Sequence, residues 1–338
     1  VDGDRILIGP SRLKSRCSGP NSPSVSTVAD GSRSCPASTG PRSTGRSRSI
    51  VTPSLKRGGT PSATSRQGTA SSVSAACLNV SLLGARNLPS SPTLFSLMTI
   101  IPTLTEKPVL TLVACLHGDE LFGREVFEYV KQHHKQYPYV QLILAHEEAI
   151  AAGKRFLETD LNRSFPGSST GSLEERLAHE LFPEVRSSSY VLDLHTTSSS
   201  IQMTPIVTCL SQATREILCH VPSKEIAFVQ QPLGARALIG QIMNGVSLEY
   251  NENYAKTPEA LEQVLNIIRS LGSKEEKEIR GREIYFIDHV IPLTVEIPAE
   301  TENFSFTEQI KGYPFLLHER SYPTIQGLRA SFKTEIRI

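Results

Sequence analysis

Closely spaced cysteines are missing from this sequence. Its six cysteines, Cys17, Cys35, Cys77, Cys115, Cys209 and Cys219, include no C-x-x-C pair. That argues against both a disulfide framework and a thiolate zinc site. A long hydrophobic run is missing too: no apolar stretch reaches the roughly 18 residues needed to cross a membrane as a helix. Internal repeats are absent, and so is any strong net charge, the formal balance being +1 over 338 residues. That near-neutral total hides a split. Residues 1–97 hold 12 Lys and Arg against three Asp and no Glu, a balance of +9, whereas residues 98–338 carry a balance of −8. The mildly acidic part gives no reason to expect a nucleic-acid partner.

Residues 1–97 are rich in Ser, Pro, Gly, Arg and Thr, as in "STGPRSTGRSRSIVTPSLKRGG". Such a segment has too little apolar surface to offset the entropy of ordering, so disorder is expected. Its composition also fits an organellar transit peptide or a basic tail that touches RNA or anionic lipid. The first methionine is Met98, and ordered patterning starts beside it. The favoured expectation is that residues 1–97 are an over-extended reading frame or a dispensable, low-complexity extension that says nothing about function.

From residue 107 the pattern alternates between strand and helix. "PVLTLVAC", "VQLILAH" and "SYVLDLHT" are apolar runs with little alternation, as in strands covered on both faces. "IVTCL", "AFVQQ" and "NGVSLEYN" read as further strands. Phe122, Val126, Tyr129 and Val130 recur at helical spacing, predicting a helix to about His134. "EEAIAAGKRF" reads as a short helix or turn, and "LEERLAHELFPEV" as a helix capped by Ser172. "TPEALEQVLNIIRSLG" is a strong helix in which Thr257 caps, Pro258 opens and Gly272 closes. Beyond about 281, alternation with prolines and no helical period predicts a small β piece.

Polar residues gather where these strands end. His117 and Glu120 follow one strand in "HGDE", and His195 follows another in "VLDLHTT". Open α/β sheets bind ligands beyond the carboxyl ends of their strands. Two imidazoles and one carboxylate make a complete protein ligand set for a catalytic zinc, with a fourth position left for water. The spacing puts Glu120 in the first turn of the helix that His117 precedes. Ordinary polar residues at a helix start are the other reading. Asp193 shares a strand face with His195 and is placed to orient an imidazole. The remaining seven histidines read as surface or structural. "GKRFLETDLNRSFPG" brings Arg155, Asn162 and Arg163 together as carboxylate-binding donors, or as a loop of solvated charges. Glu249 in "GVSLEYN" is either a desolvated carboxylate beside a metal-bound water or a strand-end residue facing solvent.

The order HGDE, DLNR, DLHT, SLEYN resembles the succinylglutamate desuccinylase/aspartoacylase family of the zinc carboxypeptidase-like superfamily. Its pattern is H-G-N-E, then R-[YF]-x-x-x-D-[LM]-N-R, then D-L-H, then L-E-x-G. The resemblance spans roughly 108–330 and includes "ENFSFTEQIKGYPFLL". Asp119 stands where the pattern has Asn, "SLEYN" lacks the glycine after the glutamate, and "AHEEA" stands where an Asn-Pro pair is common.

The resemblance implies an α/β fold: a three-layer αβα mixed sheet of zinc-carboxypeptidase type, catalytic over 98–278, with a small C-terminal β domain over 279–338 capping the substrate cleft. It implies one Zn2+ per chain on His117, Glu120 and His195. Glu249 becomes general base and proton shuttle, and Arg155 polarises the scissile carbonyl. Asn162 and Arg163 become substrate-binding, with Asp160 bracing their loop, and Arg236 is a further substrate arginine. The expected activity is zinc-dependent cleavage of the amide of a small N-acyl amino acid. The expected setting is cytoplasmic, without membrane or nucleic acid, and the oligomeric state is left open. A zinc carboxypeptidase acting on peptides and a non-catalytic metal-binding relative are the rival readings.

Overall fold

The computed structural model describes residues 98–273 and 279–338, all within the unit Leu82–Ile338. The expectation for residues 1–97 lies outside the described residues, as does the expected boundary at residue 278.

The elements run β1 (Thr99–Ile101), β2 (Leu110–Ala114), α1 (Phe122–Gln132), β3 (Val140–Leu144), α2 (Glu147–Ala152), α3 (Leu173–Arg186), β4 (Tyr190–Thr197) and β5 (Met203–Val207). They continue with α4 (Gln212–His220), β6 (Glu225–Val229), β7 (Gly245–Asn251), α5 (Pro258–Ser273), β8 (Gly281–Pro292), β9 (Tyr313–Phe315) and β10 (Ile325–Arg337). Ten strands form one mixed sheet in the order β1-β3-β2-β4-β7-β5-β6-β8-β10-β9. The block β3-β2-β4-β7 is parallel, β5 joins β7 antiparallel, and β6 and β8 continue parallel to β5 and to β6.

Every residue of β2 and β3 is buried, because both sheet faces are covered. The two-residue side-chain period sorts them. Leu112, Leu142, Leu192 and Leu248 share one cluster with Val126 and Val130 of α1 and Val264 and Ile268 of α5. Val113, Ile143 and Val191 share another with Leu177, Leu181 and Val185 of α3. The result is the expected three-layer αβα arrangement. Ser172 caps α3 in a reciprocal capping box, its Oγ accepting from the Glu175 N–H at 3.3 Å while Glu175 Oε2 accepts from the Ser172 N–H at 3.0 Å.

The structure adds to and shifts the expected elements. Strand β1 and helix α4 were not foreseen. The α4 signal is present in the sequence: Ser211 accepts from Thr214 N–H at 3.1 Å, and Thr214, Ile217 and Leu218 are buried at helical spacing. Helix α1 stops at Gln132 and is followed by a separate 3-10 turn, His134–Gln136. Gly272 does not close α5, which runs through Ser273. A Cβ at that position would fall 2.0 Å from the Tyr139 ring, so the glycine serves helix–ring contact and not termination. The C-terminal strands extend the main sheet, with β8 pairing β6 over Glu225–Val229. The chain between β8 and β10 packs Phe315 and Leu316 over Ala227, Tyr285 and Ile287. Among the described residues no helix is long and apolar enough to cross a membrane.

Candidate metal centre

At the end of β2 the backbone turns through Cys115, a non-glycine residue with φ of 57°. This left-handed kink turns the chain out of the sheet at the segment that carries His117. Gly118 then passes against α2. A Cβ there would lie 2.3 Å from the Ala149 carbonyl carbon, so "HGDE" requires its glycine sterically. Glu120 precedes the α1 N-cap, Leu121, and so stands before the helix and not in its first turn as expected.

His195 and Asp193 lie on β4, and Glu249 and Ser247 on β7. The parallel register sets His195 beside Glu249 and Asp193 beside Ser247. All four alternate with the leucines of the α1/α5 face, so they point to the α3 side. His117, Glu120 and His195 are 2, 6 and 4% exposed, and their candidate ligand atoms all lie within 4.8 Å of one another.

The Glu120 carboxylate sits between the two rings. Its Oε1 is 2.7 Å from His117 Nδ1 and its Oε2 is 2.8 Å from His195 Nδ1. It also accepts from Arg155 Nη1 at 2.8 Å and from Thr196 N–H at 3.0 Å. The far nitrogens are held as well, His117 Nε2 by Asp160 Oδ1 at 3.1 Å and His195 Nε2 by Asp193 Oδ2 at 2.9 Å. Ser247 Oγ donates to the same Asp193 oxygen at 2.8 Å.

This is the pattern of carboxylate-braced imidazoles found around divalent metals. Burial opposes charge on both rings, but the carboxylates outweigh it. Glu120 with Asp160 raises the pKa of His117, and Asp193 with Glu120 raises that of His195 well above its ordinary value. Burial pushes Glu120 up, and the two histidines overcome this and hold it well below the carboxylate range. The two Nδ1 atoms and the Glu120 carboxylate thus face one another at hydrogen-bond distance. A divalent cation among these donors would take the place of any proton held between them. The donor set therefore fits zinc, and nitrogen and carboxylate donors admit other divalent ions.

Glu249 is the contrast. It is 9% exposed, faces the same cavity, and makes no hydrogen bond or ion pair among the described residues. Burial pushes its carboxyl up to about 7; His195 pulls it down, and Glu120 and Glu319 push it further up. Two neighbouring carboxylates are thereby driven apart in acidity by what surrounds them.

The cavity has a volume of about 310 Å³ and is lined by Arg155, Asn162 and Arg163 as well as the His/Glu cluster. Arg155 is spent on Glu120 and, through Nε, on Asp160 at 3.5 Å. The Asn162 amide lies 3.2 Å from His195 Nε2 through Nδ2 and accepts from Leu238 N–H at 2.9 Å through Oδ1, so it also fixes the wall around the ring. Arg163 is exposed, donates to the Asn162 carbonyl at 2.8 Å and forms no ion pair among the described residues. Arg236 does not join them. Its side chain is 60% exposed, turns 3.5 Å from Glu175 and does not line the cavity. The expected substrate role of Arg236 is therefore corrected: the loop that would carry it to the cavity presents small and apolar residues instead, Leu233, Gly234 and Ala237.

Several site residues were not read from sequence in the positions they occupy. Asp160 orients His117 and does more than brace its own loop. Glu319 reaches in from the C-terminal segment and accepts from Thr197 Oγ1, from Ser198 N–H at 2.8 Å and from Ser321 Oγ at 2.7 Å. Tyr322 lines the cavity beside it. No local spacing signals these contacts. His146 supports the structural reading of the other histidines, being fully buried with Nε2 3.1 Å from Glu174 Oε1.

Residues 106–228 match the model of the succinylglutamate desuccinylase/aspartoacylase catalytic domain. That span holds the His/Glu cluster, Arg155, Asn162 and Arg163, and stops before Glu249. Among solved structures, murine aminoacylase 3 is 17% identical with a TM-score of 0.55, covering 69% of this chain and 98% of its own. The succinylglutamate desuccinylase of Chromobacterium violaceum is 17% identical with a TM-score of 0.54, covering 70% of this chain and 86% of its own. At that identity the likeness establishes the fold. A search of curated protein sequences gave no match.

Proposed function

With residues 106–228 belonging to the succinylglutamate desuccinylase/aspartoacylase catalytic-domain family, we propose that the protein is a zinc-dependent hydrolase that removes the acyl group of a small N-acyl amino acid. One observation carries the reading: a buried carboxylate without a partner, Glu249, stands beside His195 in the cavity that also holds His117 and Glu120. A structural role would have paired that carboxylate, because an unpaired buried one is costly.

His117, Glu120 and His195 would hold the zinc, which supplies Lewis acidity to a carbonyl and to water. Glu249 takes a proton from the attacking water and returns it to the departing amine nitrogen as the carbon–nitrogen bond breaks. A carboxyl poised at about 7 is matched to both transfers near neutrality. Arg155, with hydrogens beyond those bound by Glu120 and Asp160, donates to the oxyanion that develops on the scissile carbonyl. Arg163 takes the substrate carboxylate. Asp160 and Asp193 keep the two imidazoles facing Glu120. A cavity of about 310 Å³ is at the small end of ligand sites and suits an acyl amino acid better than a peptide.

The test is metal content by mass spectrometry with hydrolysis of acyl amino acids, on the parent and on His117→Ala/His195→Ala and Glu249→Gln. Expected are about one zinc per chain in the parent and in Glu249→Gln, none in the double variant, and activity in the parent alone. Full activity in Glu249→Gln would end the proposal.

A further inference from the structure

The deacylase reading leaves the substrate class open; the walls of the cavity narrow it, on the premise that the reading holds. The cavity changes character along one face of the sheet. The register runs from Glu249 to Thr204 and from Ser247 to Ile206 between β7 and β5, then from Ile206 to Ala227 on β6 and from Val229 to Ile287 on β8. Paired residues share a face, so the surface that begins at His195 and Glu249 becomes Ile206, Ala227, Val229 and Ile287. The C-terminal segment closes the same surface with Phe315 and Leu328, and the loop after β6 adds Leu233.

Charge in the cavity is equally one-sided. Among the described residues, Arg155 and Arg163 are its only Arg or Lys. Arg155 already faces Glu120 and Asp160, leaving Arg163 as the cation without an acidic partner. Glu249 and Glu319 line the same cavity as carboxyl groups and add no cation to it. One carboxylate can be neutralised here, and a second would enter an apolar wall with acids beside it.

We propose that the preferred substrate is an N-acyl amino acid with a single carboxylate and an apolar acyl group or side chain, and not a dicarboxylic one. Arg163 takes the carboxylate, and the wall of Ile206, Val229, Leu233, Phe315 and Leu328 takes the apolar part. Each methylene buried there is worth about a fourfold gain in affinity. A carboxylate forced into the same place loses its hydration without a partner.

The zinc-loaded full chain would be assayed with N-acetyl-L-leucine, N-hexanoylglycine, N-acetyl-L-aspartate and N-succinyl-L-glutamate. At least one apolar substrate should exceed both acidic ones in kcat/KM by about tenfold or more. Preference for the leucine compound assigns the wall to the side chain, and preference for the hexanoyl compound assigns it to the acyl group. Equal or faster hydrolysis of the acidic pair overturns the proposal. Titration calorimetry with hexanoate and succinate reads the wall without turnover. Tighter hexanoate supports the proposal even if no probe is hydrolysed, an outcome that defeats the deacylase reading alone. Tighter or equal succinate overturns it. A folded Leu233→Arg variant should gain succinate binding by about tenfold, and no gain would show that Leu233 does not face the ligand.

Discussion

Strands β4 and β7 have two faces that differ in almost every respect. One carries Leu192, Leu194, Val246 and Leu248, packed under α1 and α5. The other carries Asp193, His195, Ser247 and Glu249, which are just as buried but ionisable or polar. Neighbouring residues of one strand therefore sit in a hydrocarbon layer and in a charged cavity. The apolar face tolerates only shape, since each side chain is held by removal from water. The polar face tolerates only a partner, since each buried charge must be met. Asp193 is met by His195 and Ser247, whereas Glu249 is not. Asp193 keeps one oxygen, Oδ1, without a partner, but Glu249 has neither oxygen paired among the described residues, and a carboxylate of that kind is where chemistry is expected.

If the two faces divide function from stability, substitutions should separate them. Glu249→Gln should lower kcat/KM by about a thousandfold while Tm and zinc content stay near those of the parent. Loss of both together would mean that the face is structural. One residue earlier, Leu248→Ala should cost about 2–5 kcal/mol in urea unfolding and leave the kcat of the folded fraction unchanged. Asp193→Asn should weaken zinc binding by about 10- to 100-fold in a competition titration, because the His195 ring loses its anionic brace.

A smaller effect is expected at Glu319, which ties the C-terminal segment to the end of β4. Burial raises its carboxyl, but hydrogen bonds from Thr197 and Ser321 outweigh that and hold it below the ordinary carboxylate range. The unfolded chain then takes up the proton first as pH falls. The stabilisation is therefore full above the usual carboxylate value and is lost as pH drops through the folded value. Acid unfolding of Glu319→Gln should show a shallower loss of stability than the parent over that window. The least effect belongs to Arg236→Ala, which should change kcat/KM by less than about twofold and stability by no more than about 0.5 kcal/mol. A large loss of activity there would restore the arginine to the site.

The central cluster was legible because strand endings and a period of two are local properties. "VLDLHTT" puts Asp193 and His195 on one face whatever surrounds them, and "HGDE" leaves the sheet where "VLTLVAC" ends. Helix α4 was equally local and was missed only because its apolar positions are few. The place of Arg236 was not legible, since "GARALIG" says nothing about which way a loop turns when Glu175 of α3 lies beside it.

By itself the sequence determined the alternation of buried strands with amphipathic helices and the placing of His117, Glu120, His195 and Glu249 at or near strand ends, while the resemblance supplied the αβα layering and the roles of those residues. Side-chain periodicity and chain termination of strands are set within a few residues, so they need no partner to be read. Tertiary structure alone decided that Asp160 holds His117, that Glu319 and Tyr322 arrive from far along the chain beyond His195, and that the cavity turns apolar toward β6 and β8. Those relations depend on which strands become neighbours and how the C-terminal segment folds back. Burial and charge pairing act between residues close in space, and sequence distance carries no trace of them.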